Sequence, residues 1–152
     1  MERTTYNMYT LTYESRSTGN PSDTDMEEML TIARARNTLE DLTGCLIYYM
    51  GGFIQVLEGE KNNVLRVFKT IKADKRHRQV HLFSDDEIKD RNFPDWAMGY
   101  CTTDKDSLDT KESEHFKKNL TLIAELSISN NITARLFWRR VKLLVSSTPD
   151  GF

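Results

Sequence analysis

Thr43-Gly44-Cys45-Leu46-Ile47-Tyr48-Tyr49-Met50-Gly51-Gly52-Phe53-Ile54-Gln55-Val56-Leu57-Glu58-Gly59 reads as two strands, Thr43 to Met50 and Phe53 to Glu58, joined at Gly51-Gly52. A glycine pair between two β-prone runs is a strong hairpin signal. Side chains of a strand alternate between faces, so Phe53, Gln55 and Leu57 share one face and Ile54, Val56 and Glu58 the other. Gln55 therefore stands between two large apolar neighbours on a core-facing surface. A buried amide costs free energy unless its donors and acceptor are occupied. Either a polar network or a bound polar ligand is expected to meet Gln55.

Upstream, Tyr6 to Tyr13 alternates Met8, Thr10 and Thr12 against Tyr9, Leu11 and Tyr13, and reads as a first strand. The breaker cluster Ser17 to Ser22 follows. A helix is expected from Asp23, with Asp25, Glu27 and Glu28 in its first turn complementing the dipole. Met26, Met29, Leu30 and Ala33 form its apolar stripe, which Asn37 continues. Downstream, Asn62 or Asn63 is expected to cap a second helix with Val64, Val67, Phe68 and Ile71 on one face. The charged run Lys72 to Arg78 leads to strands at Val80 to Phe83 and Trp96 to Thr102. Trp96, Met98 and Tyr100 share a face of the latter. The order β-α-β-β-α-β-β is that of a ferredoxin-like α+β fold, with both helices on one face of the sheet.

The texture changes after residue 105. Asp106 to Ser127 is a charged helical stretch with Phe116, Leu120 and Ile123 on one side, and Ala134 to Val145 resumes with Leu136, Phe137, Val141 and Leu144. Two C-terminal helices are expected to cap the open sheet face, where Thr10, Thr12 and Val56 otherwise meet water. The division is residues 1–104 for the sheet domain and 105–152 for the helical segment.

Composition narrows the function classes. The 152 residues are 38% hydrophobic and 29% charged, as in a soluble globular domain. A net charge of −2 supplies no basic field, which argues against nucleic acid as primary partner. Cys45 and Cys101 lie in apolar strand-like runs and read as buried thiols, not a disulfide framework or metal site. His81 and His115 have no second ligand at metal-binding spacing. No apolar run is long enough to span a membrane, and Met1 to Thr5 lacks the apolar stretch of a secretory signal. A cytoplasmic location is the expectation.

With the helices packed on the Gln55 face, Tyr13, Gln55 and Asn37 converge. A phenol and two amides include no general base, nucleophile pair or metal ligand. They suit a planar heterocycle with carbonyls and ring nitrogens, because amides supply both donors and acceptors. Met29 and Ile71, one on each helix, are placed to sandwich such a ring. Each residue also has a plainer reading: Tyr13 at the core edge, Asn37 as a helix C-cap, Arg76 and His77 in a solvated turn, Trp96 and Met98 as core.

Leu11-Thr12-Tyr13-Glu14-Ser15, Asn37 six residues before Thr43-Gly44, Gly52 to Glu60, Asp74-Lys75-Arg76-His77 and Asn92-Phe93-Pro94-Asp95-Trp96-Ala97-Met98 together resemble the BLUF domain, a blue-light sensor that uses FAD. The resemblance runs from residue 6 to about 104. It implies Tyr13 as light-driven electron donor whose phenolic proton follows to the flavin. It implies Gln55 as a bridge between the Tyr13 hydroxyl and the flavin N5/O4 edge, and Asn37 at the C4 carbonyl and N3 side. Arg76 is implied at the C2 carbonyl, Asp74 and His77 near the ring and ribityl chain, and Trp96 and Met98 as the relay of a change at Gln55 to the last strand. Two departures stand out: Arg36 where the family often has Asn or His, and Met29 in place of a branched aliphatic.

The resemblance implies a blue-light sensor that signals by protein contact, through a homo-oligomer or a separate effector; with too little sequence after residue 105 for a cyclase or phosphodiesterase domain, the chain is not expected to be an enzyme itself. The alternatives are a ferredoxin-like acylphosphatase-type hydrolase, for which Arg16 and one glycine in a loop Ser15 to Ser22 are thin support, and a small-ligand regulatory module.

Overall fold

A computed structural model describes residues 8–49, 51–94, 97–102 and 131–146. Their order is β1 (Met8–Ser17), α1 (Asp23–Leu39), β2 (Thr43–Tyr49), β3 (Gly52–Gly59), α2 (Lys61–Ala73), β4 (His77–Ile88), β5 (Gly99–Thr102) and α3 (Ile132–Ser146). The strands form one sheet in the order β4-β1-β3-β2-β5. β2 and β5 run parallel, and the other neighbours are antiparallel. The expected β-α-β-β-α-β-β order holds.

The hairpin that decides the fold closes as expected. Cys45 pairs with Val56 and Leu46 with Gln55. Gly51 takes φ 79°, a conformation that glycine adopts without steric cost. Gly44 answers a different demand: a Cβ there would lie 2.1 Å from the Val56 carbonyl oxygen, so only a hydrogen fits.

Alternation along the strands makes two cores. On one face Tyr9, Leu11, Tyr13, Leu46, Tyr48, Phe53 and Leu57 pack against Met26 and Leu30 of α1 and Val64, Val67, Phe68 and Ile71 of α2. On the other, Cys45, Ile47, Ile54 and Val56 meet Ala134, Phe137 and Val141 of α3, with Phe93 set edge-on to Phe137 at 6.2 Å. Thr10 and Thr12 face this second core, and each buried hydroxyl donates to a β3 carbonyl, Leu57 and Gln55 respectively. One C-terminal helix thus covers the second face. The expected helix Asp106 to Ser127 lies outside the described residues.

Several boundaries differ from expectation for local reasons. β1 runs four residues past Tyr13, to Ser17, because Glu14, Ser15 and Arg16 still pair with Ile54, Phe53 and Gly52. Arg16 therefore sits in a strand, not in an anion-binding loop. α1 begins where expected, with Ser22 and Asp25 forming a capping box. α2, however, is capped by Glu60, whose carboxylate accepts from the Asn63 backbone at 3.2 Å, not by Asn62 or Asn63. β4 extends well beyond Val80 to Phe83 because the whole length of β1 serves as its template. Bulges opposite Thr12/Tyr13 and Glu14/Arg16 let it follow, and Gln79 takes φ 53° within the second. β5 starts at Gly99, so Met98 precedes the strand, and Trp96 lies outside the described residues.

Phe137 is fully buried between α3 and the sheet. Phe137→Ala is expected to lower the unfolding free energy in urea by about 3–5 kcal/mol, the usual cost of emptying a buried phenylalanine site.

Candidate functional site

Tyr13 and Gln55 are directly opposed on the neighbouring strands β1 and β3, both facing the α1/α2 side. Tyr13 is 1% exposed and Gln55 4% exposed, so neither can turn to water. The Tyr13 hydroxyl donates to Gln55 Oε1. Gln55 Nε2 donates in turn to Met98 Sδ at 3.3 Å. The buried amide that looked misplaced in the sequence thus has both ends occupied, with a phenol on its oxygen and a thioether on its nitrogen. Because a thioether is a weak acceptor, the nitrogen side of that amide has capacity for a stronger partner.

Asn37 lies inside α1, not at its end. Glu40 is the C-cap, so the helix-cap reading of Asn37 does not hold. Its side chain is fully buried, and Nδ2 donates to the Ala97 carbonyl at 2.7 Å. Arg34 Nε donates to the next carbonyl along the chain that the site uses, that of Met98, at 3.0 Å. α1 therefore grips the segment entering β5 through two backbone carbonyls, while β3 holds it through the Met98 sulfur.

Across the cleft, Asp74 and Arg76 form a multidentate ion pair, with Arg76 Nη2 at 2.6 Å from Asp74 Oδ2. Each partner stabilises the other's charge, lowering the carboxyl pKa and raising that of the guanidinium. His77 stands edge-on to Tyr13 at 6.4 Å and to Phe53 at 5.6 Å, and its Nδ1 lies 3.1 Å from Ser15 Oγ. Burial pulls its pKa down and favours the neutral ring. Ile71 is buried and Met29 is half-buried against the same core, on α2 and α1 respectively. Met29 and Arg76 line a cavity of about 290 Å³ together with Phe53, Glu28 and Asn20.

Burial also raises the Tyr13 pKa well above the usual tyrosine range. Its phenol is therefore neutral at physiological pH and holds its proton against Gln55. Phe68 packs on the Tyr13 ring at 5.3 Å, a neighbour that its helical stripe announced only as core. Nothing in the sequence marked Ser15 or Arg34 for the contacts they make.

Two buried polar atoms have no hydrogen-bond partner among the described residues: Asn37 Oδ1, an acceptor, and Arg36 Nε, a donor. Such atoms cost about 1–3 kcal/mol each when left unmet. Both are on α1: Asn37 is joined to the Tyr13–Gln55 pair through the Ala97–Met98 segment, and Arg36 lies within electrostatic reach of Tyr13, Asp74 and Arg76. A ring edge that alternates carbonyl oxygens with a ring N–H, as a flavin has, offers both the acceptor that Arg36 Nε lacks and the donor that Asn37 Oδ1 lacks. The residues present therefore fit a flavin. Arg36 and the field of Tyr13 act on one another, which puts the guanidinium within electrostatic reach of the phenol.

Comparison with known proteins agrees. Residues 8–99 match the family model described as BLUF, sensors of blue-light using FAD. The photoactivated adenylate cyclase subunit beta of Euglena gracilis is 33% identical over 94 residues, which cover 61% of this chain. The matched part is 11% of that protein, so the chain spans only about a tenth of the length of this relative. Among solved structures, BlrB, a BLUF protein in its dark state, is 28% identical with a TM-score of 0.64, over 89% of this chain and 95% of that one. BlsA in its photo-activated state is 27% identical with a TM-score of 0.63, over 88% and 93% respectively. With its fold, its buried phenol–amide pair and these matches in agreement, the chain belongs to the BLUF family of FAD-using blue-light sensors.

Proposed function

We propose that light sensing in this chain runs through Tyr13 and Gln55, and that the observation carrying this reading is the buried Tyr13–Gln55–Met98 hydrogen-bond chain. FAD held here would supply absorption of blue light and an excited state able to accept an electron. Tyr13 gives up that electron. A neutral buried phenol that lost an electron would become strongly acidic, so its proton would follow the electron to the ring through the hydrogen bond to Gln55 Oε1, and both would return to Tyr13 on recombination. Gln55 then rotates or tautomerises, exchanging donor for acceptor on both of its sides. Met98, on the nitrogen side, loses its partner.

In the same reading Asn37 and Arg36 hold the ring edge, since theirs are the unmet acceptor and donor. Met29 and Ile71 flank the ring, and Asp74, Arg76 and His77 hold the carbonyl and ribityl side. Arg76 reaches the cavity beside Met29, which supports that placement. Met98, with Trp96 near it in sequence, passes the change on to β5.

One hydrogen bond is worth about 1 kcal/mol net, whereas a nearly complete population shift needs roughly 5 kcal/mol. The signal therefore depends on several contacts changing together. Those of Asn37 to Ala97 and of Arg34 and Gln55 to Met98 converge on one short segment. Residues up to 104 act as the sensor and residues from 105 on as the output element. α3 is the described part of that element, joined to β1 by the Arg140–Glu14 ion pair. The output in this reading is contact with a second copy or a separate effector in the cytoplasm, not catalysis by the sensor. Among the described residues no helix is long and apolar enough to cross a membrane.

Tyr13→Phe is expected to retain flavin and its yellow colour but to lose the reversible red shift on blue illumination. A red shift that survives in that variant assigns the electron donor elsewhere. Asn37→Ala removes an acceptor placed for the ring edge, so FAD affinity should fall by about tenfold, the factor for one hydrogen bond to a buried polar group. Equilibrium titration of the apoprotein with FAD measures this, and unchanged affinity removes Asn37 from the ring contacts.

A further inference from the structure

Glu58 is 1% exposed, at the end of β3 three residues beyond Gln55. Its carboxylate accepts from the Asn92 backbone N–H at 2.7 Å and from that of Phe93 at 2.8 Å. Asn92 and Phe93 belong to the connection that leads from β4 to Ala97 and Met98. Phe93 is itself buried, packed on Phe137 of α3. Glu58 thus clamps the start of a segment whose other end is held by Asn37, Arg34 and Gln55. Nothing in the proposed photochemistry uses this carboxylate, whose burial is costly and is offset in part there by the two backbone N–H groups.

We propose that Glu58 is a positioning residue for the photocycle: by holding Asn92 and Phe93 on β3, it keeps Ala97 and Met98 against Asn37 and Gln55 in the dark state. The proposal rests on the reading that Met98 answers changes at Gln55. The geometry makes the clamp local to the switch, since β3 carries both Gln55 and Glu58 and one connection joins both contacts.

The surroundings set how the clamp responds to pH. Opposite Glu58 on the flanking strands are Thr10 and Thr43, which carry no charge. From the β4–β5 connection comes Arg91, whose field acts on the carboxylate while its Nη2 pairs with Asp41 of the α1–β2 turn at 3.3 Å. From α2, Glu60 is engaged at the helix cap and Lys61 with Glu87 of β4. Burial outweighs Arg91 and the two backbone N–H groups and pushes the Glu58 pKa from 4.5 up to about 7. Releasing the connection admits water and returns the group toward its ordinary value. The released form therefore binds the proton less tightly, and rising pH between those two values favours release. Contact with β3 is tightest while Glu58 is protonated.

The test is the rate of dark recovery after blue light, followed by flavin absorbance in the FAD-loaded protein from about pH 5 to about pH 8. Recovery rebuilds the clamped state, so in the unaltered chain it should slow as pH rises. Glu58→Gln is neutral and keeps one acceptor; its recovery should match the low-pH rate and be flat across the range. Glu58→Ala, with no acceptor, should be flat and slower by about fivefold, the factor for one net hydrogen bond. A flat profile in the unaltered chain, or an undiminished slope in Glu58→Gln, overturns the proposal even where Glu58→Ala does not fold. Loss of the red shift in the unaltered chain would instead overturn the photosensor reading beneath it, so the two failures are distinguishable.

Discussion

The hydrogen bond from the Tyr13 phenol to Gln55 Oε1 is the constraint around which this sheet is arranged. It joins two groups that each cost free energy to bury and that each have little value to a plain core. It exists because β1 and β3 are neighbours in a register that opposes residue 13 to residue 55. A slip of one residue would turn Gln55 to the α3 side and break the pair. The register is fixed from both faces: Leu11, Phe53 and Leu57 are fully covered on the helix-pair side, and Ile54 and Val56 on the α3 side. The apolar packing on both sides is therefore what keeps a polar pair in place between them.

β3 has a double duty that follows from its position beside β1 and β2 near the middle of the sheet. One face carries Gln55 toward the helices, and the other ends in Glu58, which holds the connection to β5. The two contacts meet in the same short segment, Asn92 to Met98. A change of partner at Gln55, if it occurs as proposed, would fall on a stretch of backbone already gripped by α1 through Asn37 and Arg34. On the far face, Phe93 rests on Phe137 of α3, so the same connection touches the C-terminal helix. In the proposed reading, this places the C-terminal helix against the same connection that answers Gln55.

Much of this was legible in the residues. Gly51-Gly52, the alternation from Phe53 to Glu58 and the amphipathic stripes of both early helices fixed the element order, and Gln55 in an apolar face announced a polar demand. The resemblance to the BLUF domain then supplied the flavin, which residue pattern alone left as a generic planar heterocycle. What escaped was long-range. Asn37 reads as a helix cap on local grounds, yet it lies inside α1 and bonds the distant Ala97 carbonyl. Glu58 reads as a polar strand end, because its partners are backbone amides more than thirty residues away that no side-chain pattern displays. Glu60 displaced Asn62 and Asn63 at the cap of α2 since the chain turns into the helix directly from β3. The length of β4 was set by its template β1 rather than by its own charged sequence.

A switch at Gln55 is tested most directly by light-minus-dark infrared spectroscopy with isotope-labelled glutamine. The chain has two glutamines, and Gln79→Asn removes the second at a backbone position with φ 53° that asparagine adopts readily. Gln55 then carries the only label. If Gln55 exchanges donor for acceptor, the difference spectrum contains amide bands that shift with the label and vanish as the dark state returns. A full red shift of the flavin with no label-sensitive band would contradict a switch at this residue.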